Sequence, residues 1–286
     1  MDSPQGEPSP ADGGPRAASD DGGSTPDSRL TTAGVLGGAR RRLEADPAAA
    51  LALVLAGGAV AVLDLIGRAS PVPTDAYAGI GQFEVSINLT PAVTVISGET
   101  VSLAGLVAVD PAWAAAGAGL ALLEVAVVTA AAVPALGRLL DVDPSPAAAV
   151  RYGLLVAVLR YGFFEVNFSG LAVVVGVPLL VAYFFVIVRL VPLAGRLVLG
   201  EDFATAAGRS WASARGHGWA LIGVVAILGF TNHVLASIPL VGVVGSGAIA
   251  AIHAGVVAEV VERLPVGAER GRAPVPEAGP ATDEGE

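Results

Sequence analysis

The sequence contains no cysteine and no lysine, and it has only three histidines. The absence of cysteine excludes disulfide bonds, thiolate metal sites and cysteine nucleophiles. The histidines are not spaced with acidic residues in any pattern typical of a zinc site. The sequence also lacks a Walker loop, and no dinucleotide fingerprint lies between a strand and a helix. These absences predict a protein with no metal ion and no cofactor, and they disfavour nucleotide-driven transport by this chain alone.

Charged residues are also scarce. They make up 15% of the 286 residues, against roughly 25% in an ordinary soluble domain. Apolar residues make up 53%, so a compact soluble domain of this length would have too few charges to cover its surface. The sequence therefore predicts a membrane protein that has the lipid bilayer as a partner.

The charges are unevenly divided between the two signs. The 26 acidic residues outnumber the 16 basic ones, which are all arginine, and the net charge is −10. Phosphates would repel so acidic a chain, so nucleic acid is not an expected partner. An acidic chain without lysine indicates a salt-adapted, GC-rich source such as a halophilic archaeon. The alternative is codon bias alone, which would explain the excess of alanine, glycine, valine and arginine but not the acidity.

Both ends of the chain differ in composition from the region between them. Residues 1–30 and 266–286 are rich in proline, glycine and acidic residues, and they have no apolar periodicity. Such segments bury too little surface to offset their ordering entropy, so we expect disordered tails. We do not expect a signal peptide, since no basic start is followed directly by an apolar run. Residues 31–265 form the predicted membrane domain.

The predicted membrane domain contains six apolar runs, and a bilayer core about 30 Å thick requires about 20 helical residues to cross it. The runs are residues 47–67, 112–136, 148–166, 169–190, 218–238 and 239–260. The third run is the weakest candidate because Arg151 and Arg160 lower its hydropathy. The pattern predicts an all-α transmembrane fold, a polytopic six-helix bundle made of three helical hairpins.

The arginines indicate the orientation of these spans. With the N-terminus inside, every arginine except Arg68 and Arg160 falls on a cytoplasmic segment or at its border. The triplet Arg40–Arg42 immediately before the first span is the strongest orienting signal, since cytoplasmic loops carry an excess of positive charge. The sequence therefore predicts a multi-pass protein of the cytoplasmic membrane with both termini in the cytoplasm.

The predicted external loop, residues 69–111, is the only long one outside. Apolar and polar residues alternate from Phe83 to Leu89, and residues 97–100 have the composition of a turn. A period of two is typical of a strand with one apolar face, so we expect a small β-hairpin here. Asn88 begins an Asn-Leu-Thr sequon and is a candidate glycosylation site, although such triplets also arise by chance.

Charged residues also occur within the predicted spans, and two of them could meet. Glu124 is near the middle of the second span and Arg160 is within the third. Charges there cost about 2.5–3.5 kcal/mol each on insertion scales, so each needs a reason. The two spans are antiparallel neighbours, and at about 1.5 Å per residue the two Cα atoms differ in depth by roughly 10 Å, within reach of long side chains. The expected pair is either a proton or substrate site or, as we favour, a structural ion pair that fixes helix register.

Small residues recur at every fourth position of the sixth span, at Gly247, Ala251 and Gly255. Such a ladder predicts close backbone contact with a neighbouring helix. Ser246 lies between two glycines, as in intramembrane serine proteases, but position 244 is valine and the required G-x-S-G is incomplete. No nucleophile and base can be assembled from the sequence, so an enzyme is not expected.

One stretch of the sequence resembles a known family. A span that ends in arginine is followed by Gly-Glu, then by Ala-x-x-x-Ser-Trp and Arg-Gly, and then by another span. The matching residues are Arg189, Gly200, Glu201, Ala207, Ser210, Trp211, Arg215 and Gly216. This pattern, over residues 184–228, resembles a broad six-span membrane family that includes the membrane domain of glycerophosphoryl diester phosphodiesterase and many uncharacterised haloarchaeal proteins. Catalysis in that phosphodiesterase resides in a separate soluble domain, so the resemblance implies a multi-pass protein and no catalytic residue.

Within this stretch, residues 201–217 are predicted to form an amphipathic helix on the inner membrane surface. Arg209 and Arg215 would be available to lipid phosphates, while Trp211 and Trp219 suit interfacial anchors. The leading functional hypothesis is a non-enzymatic membrane organiser or a subunit that binds another membrane or soluble protein. The alternative is a small-solute or lipid transporter that uses the region of Glu124 and Arg160.

Overall fold

The computed structural model describes residues 30–71, 74–76, 92–93, 99–101, 103–107, 109–161, 173–236 and 241–264. These residues are mostly helical. The helices are α1 (Thr32–Ala45), α2 (Pro47–Ala69), α3 (Leu103–Leu106), α4 (Pro111–Leu139), α5 (Pro146–Tyr161), α6 (Val173–Leu190), α7 (Leu193–Val198), α8 (Phe203–Ser213), α9 (Gly218–Ala236) and α10 (Val241–Arg263). The two short strands are β1 (Thr74–Ala76) and β2 (Glu99–Val101).

Side-chain caps fix where several helices begin. The Thr31 hydroxyl accepts the N–H of Gly34 at the start of α1, and the Asp46 carboxylate accepts the N–H of Ala49 at the start of α2. Asp202 caps α8 in the same way. Such caps satisfy N–H groups that have no partner within their own helix. Asp46 is also the only residue between α1 and α2, so the chain turns sharply there.

Helix α10 lies at the centre of the bundle and packs against α1, α2, α4, α7 and α9. Its apolar window is 72% buried, against 28% for α2, whose outer face is exposed. A Cβ at Gly247 would lie 2.7 Å from the Cα of Val54 in α2, and one at Gly255 would lie 3.0 Å from the carbonyl oxygen of Ala39 in α1. These two glycines, with the buried Ala251 between them, lie where α10 approaches the backbones of two neighbours.

The described helices supply fewer candidate spans than the sequence analysis expects. Four are long and apolar enough to cross a membrane, and they are Pro47–Ala69, Pro111–Leu139, Val181–Val198 and Gly245–Arg263. A fifth is obtained if α8 and the first part of α9, which meet at 109°, are counted as one broken span. The protein is thus a helical protein with several candidate membrane spans, but these helices alone do not support the count of six.

Two of the expected spans account for the difference. The third, residues 148–166, corresponds to α5, which has 16 residues up to Tyr161 and carries Arg151 and Arg160; this is shorter than the roughly 20 residues that a perpendicular crossing needs. The fifth, residues 218–238, corresponds to α9, which counts as a candidate only when it is joined to α8. The expected fourth span, residues 169–190, does have a candidate, but this candidate is shifted to Val181–Val198, across α6 and α7.

The expected external loop contains a short β-ladder. Strands β1 and β2 pair antiparallel with Thr74 opposite Val101, Asp75 opposite Thr100 and Ala76 opposite Glu99. Glu99 and Thr100 were expected in a turn, but they extend because their partner strand comes from the start of the loop rather than from the adjacent residues. The expected β-hairpin is therefore not supported.

Ala92 and Val93, from the same expected loop, are completely buried in the hydrophobic core. The carbonyl oxygen of Val93 accepts the hydroxyl of Tyr152 in α5 at 2.7 Å. Backbone without regular structure can remain in an apolar interior when its polar groups have such partners. This part of the expected loop thus packs into the bundle, where Tyr152 holds it.

Several expectations fall outside the described residues. These are the disordered tails at 1–29 and 266–286, the alternating segment 83–89 and the sequon at Asn88. Leu30, the last residue of the expected N-terminal tail, is described and is buried against the core.

Candidate functional site

The structure brings Glu124 of α4 and Arg160 of α5 together. Nη2 of Arg160 lies 2.7 Å from Oε1 of Glu124, and the two side chains are 8% and 9% exposed. Glu124 lies 15 residues before the end of α4, and Arg160 lies 14 residues after the start of α5. The antiparallel helices therefore place both residues at nearly the same depth, closer than the rough 10 Å estimated from the sequence.

Tyr161 is a third member of this site. Its hydroxyl donates a hydrogen bond of 2.8 Å to Oε2 of Glu124. Each oxygen of the carboxylate thus has its own partner from α5, one charged and one neutral. The sequence analysis did not select Tyr161, because an aromatic residue near the end of an apolar run is common.

Close packing of α4 and α5 accompanies this pair. A Cβ at Gly153 would lie 3.1 Å from the Oγ1 of Thr129, so the two helices approach closely about two turns from the pair. Tyr152, next to this glycine, is completely buried. The Glu124–Arg160–Tyr161 site thus lies between two helices that are already in contact.

A second group of charges joins α1 to the end of α10. Nε of Arg42 lies 2.7 Å from Oε2 of Glu259, and Nη1 of the same arginine donates to Oε1 of Glu262 at 2.8 Å. Nε of Arg263 lies 2.6 Å from the other oxygen of Glu259. A Cβ at Gly38 would collide with the Glu259 carboxylate, so only glycine leaves room for this group.

A third contact joins the start of α2 to the end of α4. Nε of Arg138 lies 2.7 Å from Oδ2 of Asp46, while Oδ1 of Asp46 caps α2. The hydrogen bond from the Arg138 guanidinium lowers the pKa of Asp46 below its ordinary value, and the N–H of Ala49 contributes to the same effect. One carboxylate therefore both starts α2 and ties it to α4.

A fourth group, which we call the Glu201 cluster, consists of Glu201, Arg151, Arg196 and Arg209. Oε1 of Glu201 lies 2.9 Å from Nη1 of Arg209 and 3.5 Å from Nη1 of Arg196. Arg151 donates from Nη1 to the backbone oxygens of Gly200 and Glu201, at 2.9 Å and 3.3 Å. Three guanidinium groups therefore converge on one acidic residue at the junction of α5, α7 and α8.

The remaining residues of the family-like motif lie around α8. Nη1 of Arg189 donates to the carbonyl of Trp211 at 3.2 Å, and its guanidinium carbon lies 4.7 Å from the centre of the Phe185 ring and 5.3 Å from that of Trp211. Ser210 is completely buried, whereas the adjacent Arg209 is exposed. The motif thus attaches α8 to the end of α6.

Gly200 and Gly216 flank α8 and have φ values of +90° and +83°. Residues with a Cβ rarely adopt this conformation, which explains why glycine is present at both positions of the motif. Arg215, immediately before the second turn, is exposed. The turn at Gly216 precedes the 109° bend between α8 and α9.

No group of three or more histidine, cysteine, aspartate and glutamate side chains that could hold a metal ion occurs in the part of the chain that the structure describes. Ser246, the serine between two glycines, is buried within α10. His253 follows it by seven residues on the same helix. Comparison with known proteins adds no assignment, because no family model, no curated protein and no solved structure matches the chain.

Proposed function

We propose that this chain is a non-enzymatic multi-pass membrane protein, an organiser or partner-binding subunit whose interior polar groups hold helices together. The observation that carries this proposal is the site at Glu124. Both carboxylate oxygens are occupied by side chains of α5, and the Glu124 and Arg160 side chains are more than nine-tenths buried. An ion pair buried between two helices constrains how they pack, and each oxygen of this carboxylate is already engaged by a side chain of α5.

The charges elsewhere favour the same interpretation. Arg42, Arg138 and Arg263 each pair with a carboxylate, and the pairs of Arg42 and Arg138 join different helices. Polar groups that line a transport path would instead need to face a cavity or water. These contacts therefore support a stabilising role for the ionic groups in the described bundle.

A count of six spans with both termini in the cytoplasm is also part of the proposal. Arg42 and Glu259 join the helix before α2 to the last turns of α10, so α2 starts at the membrane face where α10 ends. An even number of crossings must separate two such ends. The six helices α2, α4, α5, α6, α9 and α10 satisfy this condition, and so do the four candidate spans among the described helices; the apolar runs of the sequence favour six. The exposed arginines at this end support placing it in the cytoplasm.

Membership of the six-span family named above is proposed on the motif alone. The support is that the local structure explains the residue type at several motif positions. Gly200 and Gly216 have positive φ, Glu201 forms ion pairs, and Arg189 contacts Trp211. Because these residues hold one short helix against its neighbours, they are the kind of residues that proteins with the same fold would share.

Reconstituted vesicles can test the proposed function against the transporter alternative. The full-length protein and the variant Glu124→Gln are placed in vesicles with an internal pH-sensitive dye, and proton entry is driven by an imposed pH gradient. A second set contains a fluorescent phospholipid whose exposure on the outer leaflet is measured by chemical quenching. We expect both proteins to match protein-free vesicles in both assays.

The control variant is Glu44→Gln, which removes an exposed carboxylate of α1 that pairs with Arg40. Faster proton or lipid movement with the wild-type protein and with this control, together with its loss in Glu124→Gln, would contradict the proposal. That outcome would identify Glu124 as part of a transport site.

A further inference from the structure

The Glu201 cluster carries an excess of positive charge. Arg196 and Arg209 both approach the single carboxylate of Glu201, and Arg151 donates to the backbone oxygens of Gly200 and Glu201 beside it. The neighbouring Asp202 uses its carboxylate to accept the N–H and the hydroxyl of Thr205 at the start of α8. Even when Asp202 is counted, the cluster retains more positive than negative charge.

The most buried arginine of this cluster is incompletely satisfied. The side chain of Arg196 is 5% exposed, and its Nη1 and Nη2 atoms make only long contacts, 3.5 Å to Glu201 and 3.3 Å to the carbonyl of Leu264. Its Nε atom has no hydrogen-bond partner among the described residues, and neither has the buried Oε2 of Glu201. A buried guanidinium is costly unless its donors are satisfied, so Arg196 has a donor available for a further acceptor.

The cluster lies where a membrane surface would be. Helix α8 meets the following helix at 109°, so α8 runs roughly along the bilayer plane if α9 crosses it. Trp219, in the first turn of α9, is 87% exposed. Exposed tryptophan is typical of the level of lipid headgroups. Arg209, on the outer side of α8, is 48% exposed, so the cluster can be reached from that level.

We propose that the Glu201 cluster binds the phosphate group of an anionic phospholipid. Guanidinium groups present paired donors that match the oxygens of a phosphate, and such charge-assisted hydrogen bonds are stronger than neutral ones. The headgroup would neutralise the excess charge of the cluster and lie next to α8. The inference goes beyond the proposed function and needs only a membrane around α9, because an organiser and a transporter could both have this site.

The test uses the purified full-length protein in a zwitterionic detergent at fixed ionic strength, because salt screens such attractions. The melting temperature is followed while short-chain phosphatidylglycerol, short-chain phosphatidylcholine or inorganic phosphate is added. Ligands that bind only the folded protein raise the melting temperature in proportion to their occupancy. We expect a saturable rise with phosphatidylglycerol, and a smaller one with the zwitterionic lipid.

The sharpest comparison is between a variant that removes a positive charge from the cluster and a variant that removes its negative charge. Arg209→Gln removes a half-exposed cation and should weaken phosphatidylglycerol binding about tenfold, the equivalent of one charge-assisted hydrogen bond. Glu201→Gln removes the competing carboxylate and should strengthen binding relative to the wild type. A purely structural role for Glu201 would not produce this increase. Arg41→Gln, which removes an exposed arginine of α1, is the control and should bind as the wild type does.

Equal affinity of the wild type, Arg209→Gln and Arg41→Gln for phosphatidylglycerol would overturn the proposal. Binding of inorganic phosphate without binding of phosphatidylglycerol would contradict the proposal that the ligand is a lipid. If Glu201→Gln does not fold, the comparison of Arg209→Gln with Arg41→Gln decides. None of these results depends on the vesicle assays at Glu124, so the two proposals can fail separately.

Discussion

Nε of Arg42 lies 2.7 Å from Oε2 of Glu259, and this ion pair joins the first described helix to the last one. The same guanidinium donates to Glu262 and to the carbonyl oxygen of Leu139 at the end of α4. Arg42 therefore connects its own helix α1 to two others, α4 and α10, at one end of the bundle. Sequence separations of about 100 to 220 residues mean that this contact can form only when most of the fold is in place.

The first prediction concerns this arginine. Arg42→Gln leaves the buried Glu259 with only Arg263 and should lower the free energy of unfolding by about 2–3 kcal/mol, as expected for lost hydrogen bonds between charged groups. Thermal unfolding in detergent measures the change. The control is Arg40→Gln, on the same helix, whose side chain is 80% exposed and pairs with Glu44 at i,i+4 spacing. It should change stability little, because exposed ion pairs contribute little, and equal losses in the two variants would be evidence against the structural role of Arg42.

The second prediction concerns acid stability. The hydrogen bond from Arg138 lowers the pKa of Asp46 in the folded protein, so its contribution is complete above the ordinary aspartate pKa of about 3.9. This contribution is lost as the pH falls through the lowered folded-state pKa. The difference in melting temperature between wild type and Asp46→Asn should therefore be largest at neutral pH and decrease below about pH 4. A difference that is constant from neutral to strongly acidic pH would show that the charge of Asp46 is unimportant.

The third prediction concerns helix packing. Gly247→Ala places a Cβ 2.7 Å from the backbone of Val54, and the backbones of α2 and α10 cannot move apart without loss of packing. Overpacking of this kind should cost about 1–3 kcal/mol. Gly58→Ala in α2 meets nothing within 4 Å, and it should leave stability unchanged or raise it. If the two alanine variants melt at the same temperature, α2 and α10 are not in close contact at Gly247.

The fourth prediction concerns orientation. A reporter that is active only outside the cytoplasm should be active when inserted near Gly98, and one fused after Gly267 should report a cytoplasmic position. The physical reason is the excess of arginine at the end of the bundle where α4 ends and α5 begins. Activity of the external reporter at the C-terminal fusion would exclude the proposed even number of spans or reverse their orientation.

The pair of Glu124 and Arg160 could be predicted from the sequence for a simple reason. A charge within an apolar run is conspicuous, and the constant rise of a helix converts residue number into depth. Tyr161 could not be selected in this way, because an aromatic residue near the end of a span is unremarkable. Its part in the site depends on the rotation of α5 about its axis, which the sequence does not specify.

The arginines give a similar lesson. Their distribution along the sequence indicates which ends of the helices lie together, but it does not indicate the partners. Arg209 was expected to be available to lipid phosphates, but the sequence did not indicate its ion pair with Glu201. Which residues form ion pairs depends on turns such as the one at Gly200, which sets the position of Glu201 relative to α8.

The burial of Ala92 and Val93 could not be predicted from local pattern. They lie within residues 69–111, which the apolar runs on either side predict to be an external loop. The bond that allows the Val93 carbonyl into the core comes from Tyr152, 59 residues away. Burial of irregular backbone depends on such distant partners, and a sequence pattern read over a few residues cannot contain them.

A double-mutant cycle on Glu124 and Arg160 tests the central claim most directly. The free energy of unfolding is measured for Glu124→Leu, for Arg160→Met and for the double variant. Each single variant leaves one buried charge without its partner and should lose about 3–5 kcal/mol, while the double variant should regain most of this loss because two apolar side chains replace the pair. Losses in the two single variants that simply add in the double variant would contradict the account, because the two residues would then not be coupled.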